Sequence, residues 1–149
     1  MNDYVDYNVA EFVQMLVGKS LYYCLKSPDT ELYDLGFLDN NCKTKEVTEC
    51  DELALHAICC FKLIIPNSSC RSILFDAETS RNQVNSQFKS LIGLPIKRIA
   101  LSEKNDLWLD FGNYWLVFIT SEDGEESWRL FDPNSDAPHL VATDTWIGF

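Results

Sequence analysis

Residues 107–120 read LWLDFGNYWLVFIT. Two runs rich in aromatic and β-branched residues flank Gly112-Asn113. Such runs favour strands, and a Gly-Asn step between them is a two-residue hairpin signal. The stretch therefore predicts antiparallel strands over 107–111 and 114–120. Working outward, 96–101 reads as a preceding strand, joined by a Glu103-Lys104-Asn105 turn. On the other side, Asp123-Gly124 turns the chain into a strand over 127–131, and a short strand follows over 139–143. Closely spaced strands with tight turns make an antiparallel meander.

A helix should precede this meander. Val84, Phe88 and Leu91 share one helical face, Thr79 or Ser80 can cap it, and Gly93 ends it. Pro95 then forbids continuation. The same order occurs earlier in the chain. Val9, Phe12, Val13, Leu16 and Val17 recur at helical spacing, with Asn8 as cap, Glu11 at the capping-box position and Gly18 as the left-handed stop. Leu16-Val17-Gly18 is echoed by Leu91-Ile92-Gly93, and Glu31-Leu32-Tyr33 by Asp106-Leu107-Trp108. Leu74-Phe75-Asp76 is echoed by Leu130-Phe131-Asp132. Strands over 21–25, 32–37, 55–65 and 72–75, with a Ser27-Pro28-Asp29 turn, complete the first copy.

The sequence thus predicts an α+β fold. It would consist of two diverged helix-plus-four-strand antiparallel meander repeats packed together, residues 1–78 and 79–149, each sheet covered on one face by its preceding helix. Gly18 and Phe75 are 57 positions apart, and Gly93 and Phe131 are 38 apart. The first copy should therefore carry an insertion, placed in the polar stretch near 40–52.

Charge narrows the function. The chain carries a formal net charge of −11. Residues 99–149 hold 10 acids against Lys104 and Arg129 alone. So acidic a chain repels phosphate backbones, which argues against nucleic acid. The longest apolar stretch, 53–65, has 13 residues and includes His56 and Lys62. A membrane span needs about 20 apolar residues, and the acidic first six residues do not resemble a secretory signal. Six cysteines stand at 24, 42, 50, 59, 60 and 70. Three of them lie in apolar runs, where cysteine acts as a small hydrophobe. Reduced thiols in the cytoplasm are the expectation.

No catalytic residue, metal site or cofactor is assigned. His56 and Cys60 are four apart in an expected strand, about 13 Å along it, too far for one zinc. Asp132-Pro133-Asn134-Ser135-Asp136 starts like a calcium loop, but Ala137 and Thr143 stand where the glycine and bidentate glutamate belong. A turn is the better reading. His139 and Asp144 could serve Cys59 or Cys60, but nothing in the spacing requires it. Trp108, Trp115 and Trp128 are expected in the core, whereas Trp146 near the C-terminus should be partly exposed. An exposed tryptophan beside an acidic rim suits a protein interface. The candidate partner-binding residues are Glu122, Asp123, Glu125, Glu126 and Trp146.

The second half resembles small bacterial domains found among immunity proteins encoded beside polymorphic toxins. The resemblance lies in residues 91–93, 107–112 and 115–119 and in Trp128-Arg129-Leu130. The first half departs from it: Asp34-Leu35-Gly36-Phe37 replaces Leu109-Asp110-Phe111-Gly112, and no tryptophan precedes Leu74-Phe75. The resemblance implies a non-enzymatic cytosolic inhibitor of a toxin, with no motif residues to carry over as a site; the acidic second half implies that the protein partner presents a basic surface. The alternatives are a structural module that homodimerises through an open sheet edge, and a small-molecule binder using a groove between the copies.

Overall fold

The computed structural model describes residues 8–39, 52–66 and 71–149. Two helices are capped as the sequence predicts. In α1 (Val9–Gln14) the Asn8 side-chain oxygen accepts the N–H groups of Ala10 at 3.0 Å and Glu11 at 3.4 Å. In α2 (Arg81–Phe88) Ser80 and Gln83 form a reciprocal capping box. Gly18 and Gly93 both take φ +87° beyond the helix ends, a conformation that suits glycine. Val13, Leu16, Val84, Phe88 and Leu91 are buried. Val17 is not, at 41% exposure, because α1 ends before it and Val17 leaves the helical face.

The strands are β1 (Lys19–Lys26), β2 (Tyr33–Asp39), β3 (Glu52–Ala57), β4 (Phe61–Ile65), β5 (Arg71–Phe75), β6 (Arg98–Leu101), β7 (Leu107–Asp110), β8 (Trp115–Phe118), β9 (Trp128–Phe131), β10 (Leu140–Ala142) and β11 (Ile147–Gly148). They form two antiparallel sheets, a six-stranded one ordered β1-β2-β3-β9-β10-β11 and a five-stranded one ordered β5-β4-β8-β7-β6. These replace the two four-stranded meanders expected. Each sheet mixes strands from before and after α2, since β3 lies beside β9 and β4 beside β8.

The difference arises at one place. The run 55–65, expected as one strand, breaks at Ile58-Cys59-Cys60, and the chain passes there from the six-stranded to the five-stranded sheet. Leu53, Leu55, Ala57, Cys59, Phe61 and Leu63 are all buried. The two-residue period continues through the bend because both sheets face the same core, so hydrophobicity gives no sign of the crossing. The echo of Leu74-Phe75 in Leu130-Phe131 is also not a structural equivalence. The first pair sits on edge strand β5, the second on interior strand β9. The insertion expected near 40–52 lies outside the described residues, apart from Glu52, which opens β3 and is buried.

Register places the core. Cys24, Leu35, Leu55, Leu130 and Leu140 line up across the six-stranded sheet. Ile73, Leu63, Leu116, Leu109 and Ile99 line up across the five-stranded one. Phe61 joins the layers: its ring centroid is 4.7 Å from that of Tyr33, 4.9 Å from Phe75, 5.1 Å from Phe118 and 6.0 Å from Phe88 of α2. Trp128 is fully buried, and its indole N–H donates to the Asn105 carbonyl at 3.0 Å. Trp108 and Trp115 are not in the core. Leu107, Leu109, Leu116 and Phe118 take the inward positions of β7 and β8. Alternation therefore turns both tryptophans to the outer face, and Trp108 is 36% exposed. No described helix is long and apolar enough to cross a membrane.

Candidate functional site

Three loops meet at one end of the sheets. Asn105, at φ 66°, sends its side-chain N–H to the Thr143 carbonyl at 3.0 Å. Asp106 accepts the backbone N–H of Thr120 at 2.8 Å and its hydroxyl at 3.0 Å. Gly124 N–H donates to Asp144 Oδ1 at 3.2 Å. The 102–106, 119–127 and 143–146 segments are thus cross-braced. The turn between β10 and β11 is closed by Thr143 Oγ1, which accepts the N–H groups of Thr145 at 3.2 Å and Trp146 at 2.9 Å. It holds Trp146 at 51% exposure.

Most of the predicted partner-binding residues belong to this end. Glu122, Asp123 and Glu125 are exposed on the central loop, and Trp146 sits on the turn bonded to it. Asp123 Oδ1 accepts the Glu125 N–H at 3.0 Å, which fixes the loop's tip. Glu122 pairs with Lys104 at 3.1 Å and raises the lysine's pKa. Glu126 differs. It is half-buried and turned away from the loop's tip, along the sheet, where it pairs with the Arg129 guanidinium.

Arg129 belongs to a second cluster, on the outer face of the six-stranded sheet. Tyr23 donates to Asp34 Oδ1 at 3.1 Å, and His56 Nε2 lies 3.3 Å from the same oxygen. Tyr22 donates to Glu52. Phe131 stands between the two histidines, edge-on to His56 at 4.7 Å and stacked on His139 at 4.2 Å. Arg129 Nη1 is 3.1 Å from His139 Nδ1. Gly36 makes room for the tyrosines, since a Cβ there would fall 2.1 Å from the Tyr23 ring. Burial first, then the neighbouring carboxylates, push both tyrosine pKa values up. Burial, the Arg129 charge and His56 push His139 down. Sequence reasoning missed this cluster. His56 and Arg129 become neighbours only because β3 pairs with β9, and no local pattern announces that pairing.

The remaining chemical candidates occupy other roles. His139 is engaged by Arg129 and Phe131, and Asp144 by Gly124. Burial pushes the Cys59 thiol up to about 12 and that of Cys24 up as well, which makes both poor nucleophiles. Cys59 is buried and Cys60 exposed, the opposite sides expected of adjacent positions on an extended chain. In the 132–136 segment Asp132 Oδ1 accepts the Asn134 N–H at 2.8 Å and Ser135 Oγ accepts the Ala137 N–H at 2.9 Å. These oxygens build a turn. Among the described residues no group of three or more His, Cys, Asp or Glu side chains is placed to hold a metal ion.

Set beside known proteins, the chain matches no family model, no curated protein and no solved structure.

Proposed function

We propose that this chain is a non-enzymatic protein-binding module that acts in the bacterial cytoplasm as an immunity protein, neutralising a cognate toxin through a basic surface on the toxin. The observation that carries this reading is the cross-braced acidic end. Glu103, Glu122, Asp123, Glu125 and Asp144 lie on its loops, with Lys104 as the one cation in them. Bonds from Asn105 to Thr143 and from Gly124 to Asp144 hold the loops in place. A preordered surface loses less freedom on binding. Exposed Trp146 supplies an apolar anchor beside the charge. Complementary charge speeds encounter more than it deepens affinity.

The architecture belongs to the same reading. We take 1–78 and 79–149 as diverged copies that exchange strands. Gly18 N–H donates to the Ile96 carbonyl at 2.8 Å, and Gly93 N–H donates to the Leu21 carbonyl at 3.0 Å. These are one contact made in both directions. β3 beside β9 and β8 beside β4 repeat the exchange.

The test pairs the chain with the toxin encoded next to it. Glu122→Gln, Asp123→Asn and Glu125→Gln together should slow association about tenfold at low salt, and added salt should shrink the difference. Trp146→Ala should speed dissociation. An unchanged association rate overturns the loop assignment, and a toxin left fully active by the unaltered chain overturns the immunity reading.

A further inference from the structure

The outer face of the five-stranded sheet carries a hollow of about 330 Å³, lined by Arg98, Ala100, Trp108, Asp110 and Trp115 among others. It comes from the register. Ala100 stands opposite Trp108, and Arg98 opposite Asp110, which in turn faces Trp115. Ala100 contributes only a methyl group, so a gap is left between the large side chains. The two indoles meet nearly edge to face, with centroids 6.1 Å apart and planes at 68°. Arg98 Nε and Nη2 both donate to Asp110 Oδ2, at 2.9 and 2.7 Å, and Gly112 N–H donates to Asp110 Oδ1 at 2.7 Å. The hollow is of the size and apolar character of a small-ligand site with a few orienting polar groups.

Its chemistry selects the ligand. A cation gains little because Arg98 already answers the Asp110 charge on the rim. An anion gains little because Asp110 already answers the Arg98 charge. A purely apolar ligand would desolvate the rim without replacing its hydrogen bonds, which is costly. A ring with one flat C–H face and a hydroxyl edge meets every requirement. Its C–H bonds lie against the electron-rich indole face, and its hydroxyls accept from the two Arg98 Nη1 protons that Asp110 does not use. We propose that this hollow binds a neutral pyranose, its C–H face stacked on one of the two indoles, Trp108 or Trp115, and its rim against the other, hydrogen-bonded at its edge by Arg98, with Asp110 holding the guanidinium in position. The site lies on strands β6, β7 and β8 and is separate from the acidic loops.

The chain has four tryptophans, which makes the site readable without any substitution. The full chain is titrated with the methyl glycosides of glucose, galactose, mannose and N-acetylglucosamine, and with adenosine as a flat neutral ring of aromatic chemistry. At least one glycoside should saturate, with a dissociation constant of about 1–10 mM. It should shift the indole N–H resonances of Trp108 and Trp115 and leave that of buried Trp128 in place. Trp108→Ala and Ala100→Leu, the second filling the hollow without removing a contact, should each weaken binding about tenfold or more. The proposal is overturned if no glycoside saturates by about 50 mM. It is equally overturned if adenosine alone saturates, if the shifts fall on Trp146, or if binding survives in both folded variants.

Discussion

Arg129 Nη1 lies 3.1 Å from His139 Nδ1, across the outer face of the six-stranded sheet. A guanidinium only donates hydrogen bonds. His139 Nδ1 must therefore accept, the ring is neutral, and its proton sits on Nε2. The groups facing this imidazole are Arg129 and Phe131 from β9, Glu126 before it and His56 from β3. Burial, Arg129 and His56 lower its pKa, and Glu126 opposes them without reversing the direction.

The pH dependence follows from that direction. The unfolded chain protonates His139 near the ordinary value of about 6.5, whereas the folded chain does so only at lower pH. Below about 6.5 the unfolded state thus binds more protons, so stability falls as pH drops until the folded pKa is passed. The His139 contribution is fully present above pH of about 6.5. Urea titrations of the unaltered chain and of His139→Gln between pH 7.5 and 5 should converge toward low pH. An NMR titration should place the His139 pKa below the ordinary value, and Arg129→Gln should move it up.

Gly36→Ala should be destabilising, by about 1–3 kcal/mol. The new Cβ would lie 2.1 Å from Tyr23 Cε1 and 2.7 Å from Tyr22 Cε1. Relief requires Tyr23 to swing away and give up its bond to Asp34. Equilibrium unfolding of Gly36→Ala with and without Tyr23→Ala reads the coupling. The alanine should cost less once the ring is gone.

Phe61→Ala should be among the most damaging single changes, at about 3–5 kcal/mol. Phe61 touches Tyr33 of one sheet, Phe75 and Phe118 of the other and Phe88 of α2. Its loss leaves a void that no single element can close. Thermal unfolding checks this, with Phe61→Leu expected to retain much of the stability.

Gly18→Ala and Gly93→Ala should cost similar amounts, about 1–2 kcal/mol each. Both glycines are at φ +87° with open space around the position of a Cβ, so the penalty is backbone strain rather than collision. Their backbone N–H groups make the reciprocal bonds to Ile96 and Leu21. Amide hydrogen exchange at these two positions should speed up in the respective variants.

Local order was legible where local forces decide it. Asn8, Ser80, Gly18 and Gly93 marked the helix ends through capping and left-handed geometry. Gly112-Asn113 marked the β7–β8 hairpin, where the Phe111 N–H meets the Tyr114 carbonyl at 2.8 Å. Even the outward turn of Trp108 and Trp115 was implicit in the alternation with Leu107, Leu109, Leu116 and Phe118, though the tryptophans' bulk argued for the core. The exposed acids Glu122, Asp123 and Glu125 were legible as a charged loop.

The sequence by itself determined the helices, most of the strands, their antiparallel hairpins and the acidic character of the second half, because each depends on neighbours a few residues apart. Only the tertiary structure decided which strands share a sheet. An inward-facing residue is apolar whichever sheet it belongs to, so the crossing at Ile58-Cys59-Cys60 leaves no trace in the 107–120 style of pattern. With β3 set beside β9, His56 and Arg129 became neighbours and Glu126 was drawn from the acidic loop into the outer-face cluster. With Ala100 set opposite Trp108, a hollow opened over the alanine beside the two indoles. Side chains distant in sequence meet through strand pairing, and pairing is settled by burial of the shared core as a whole.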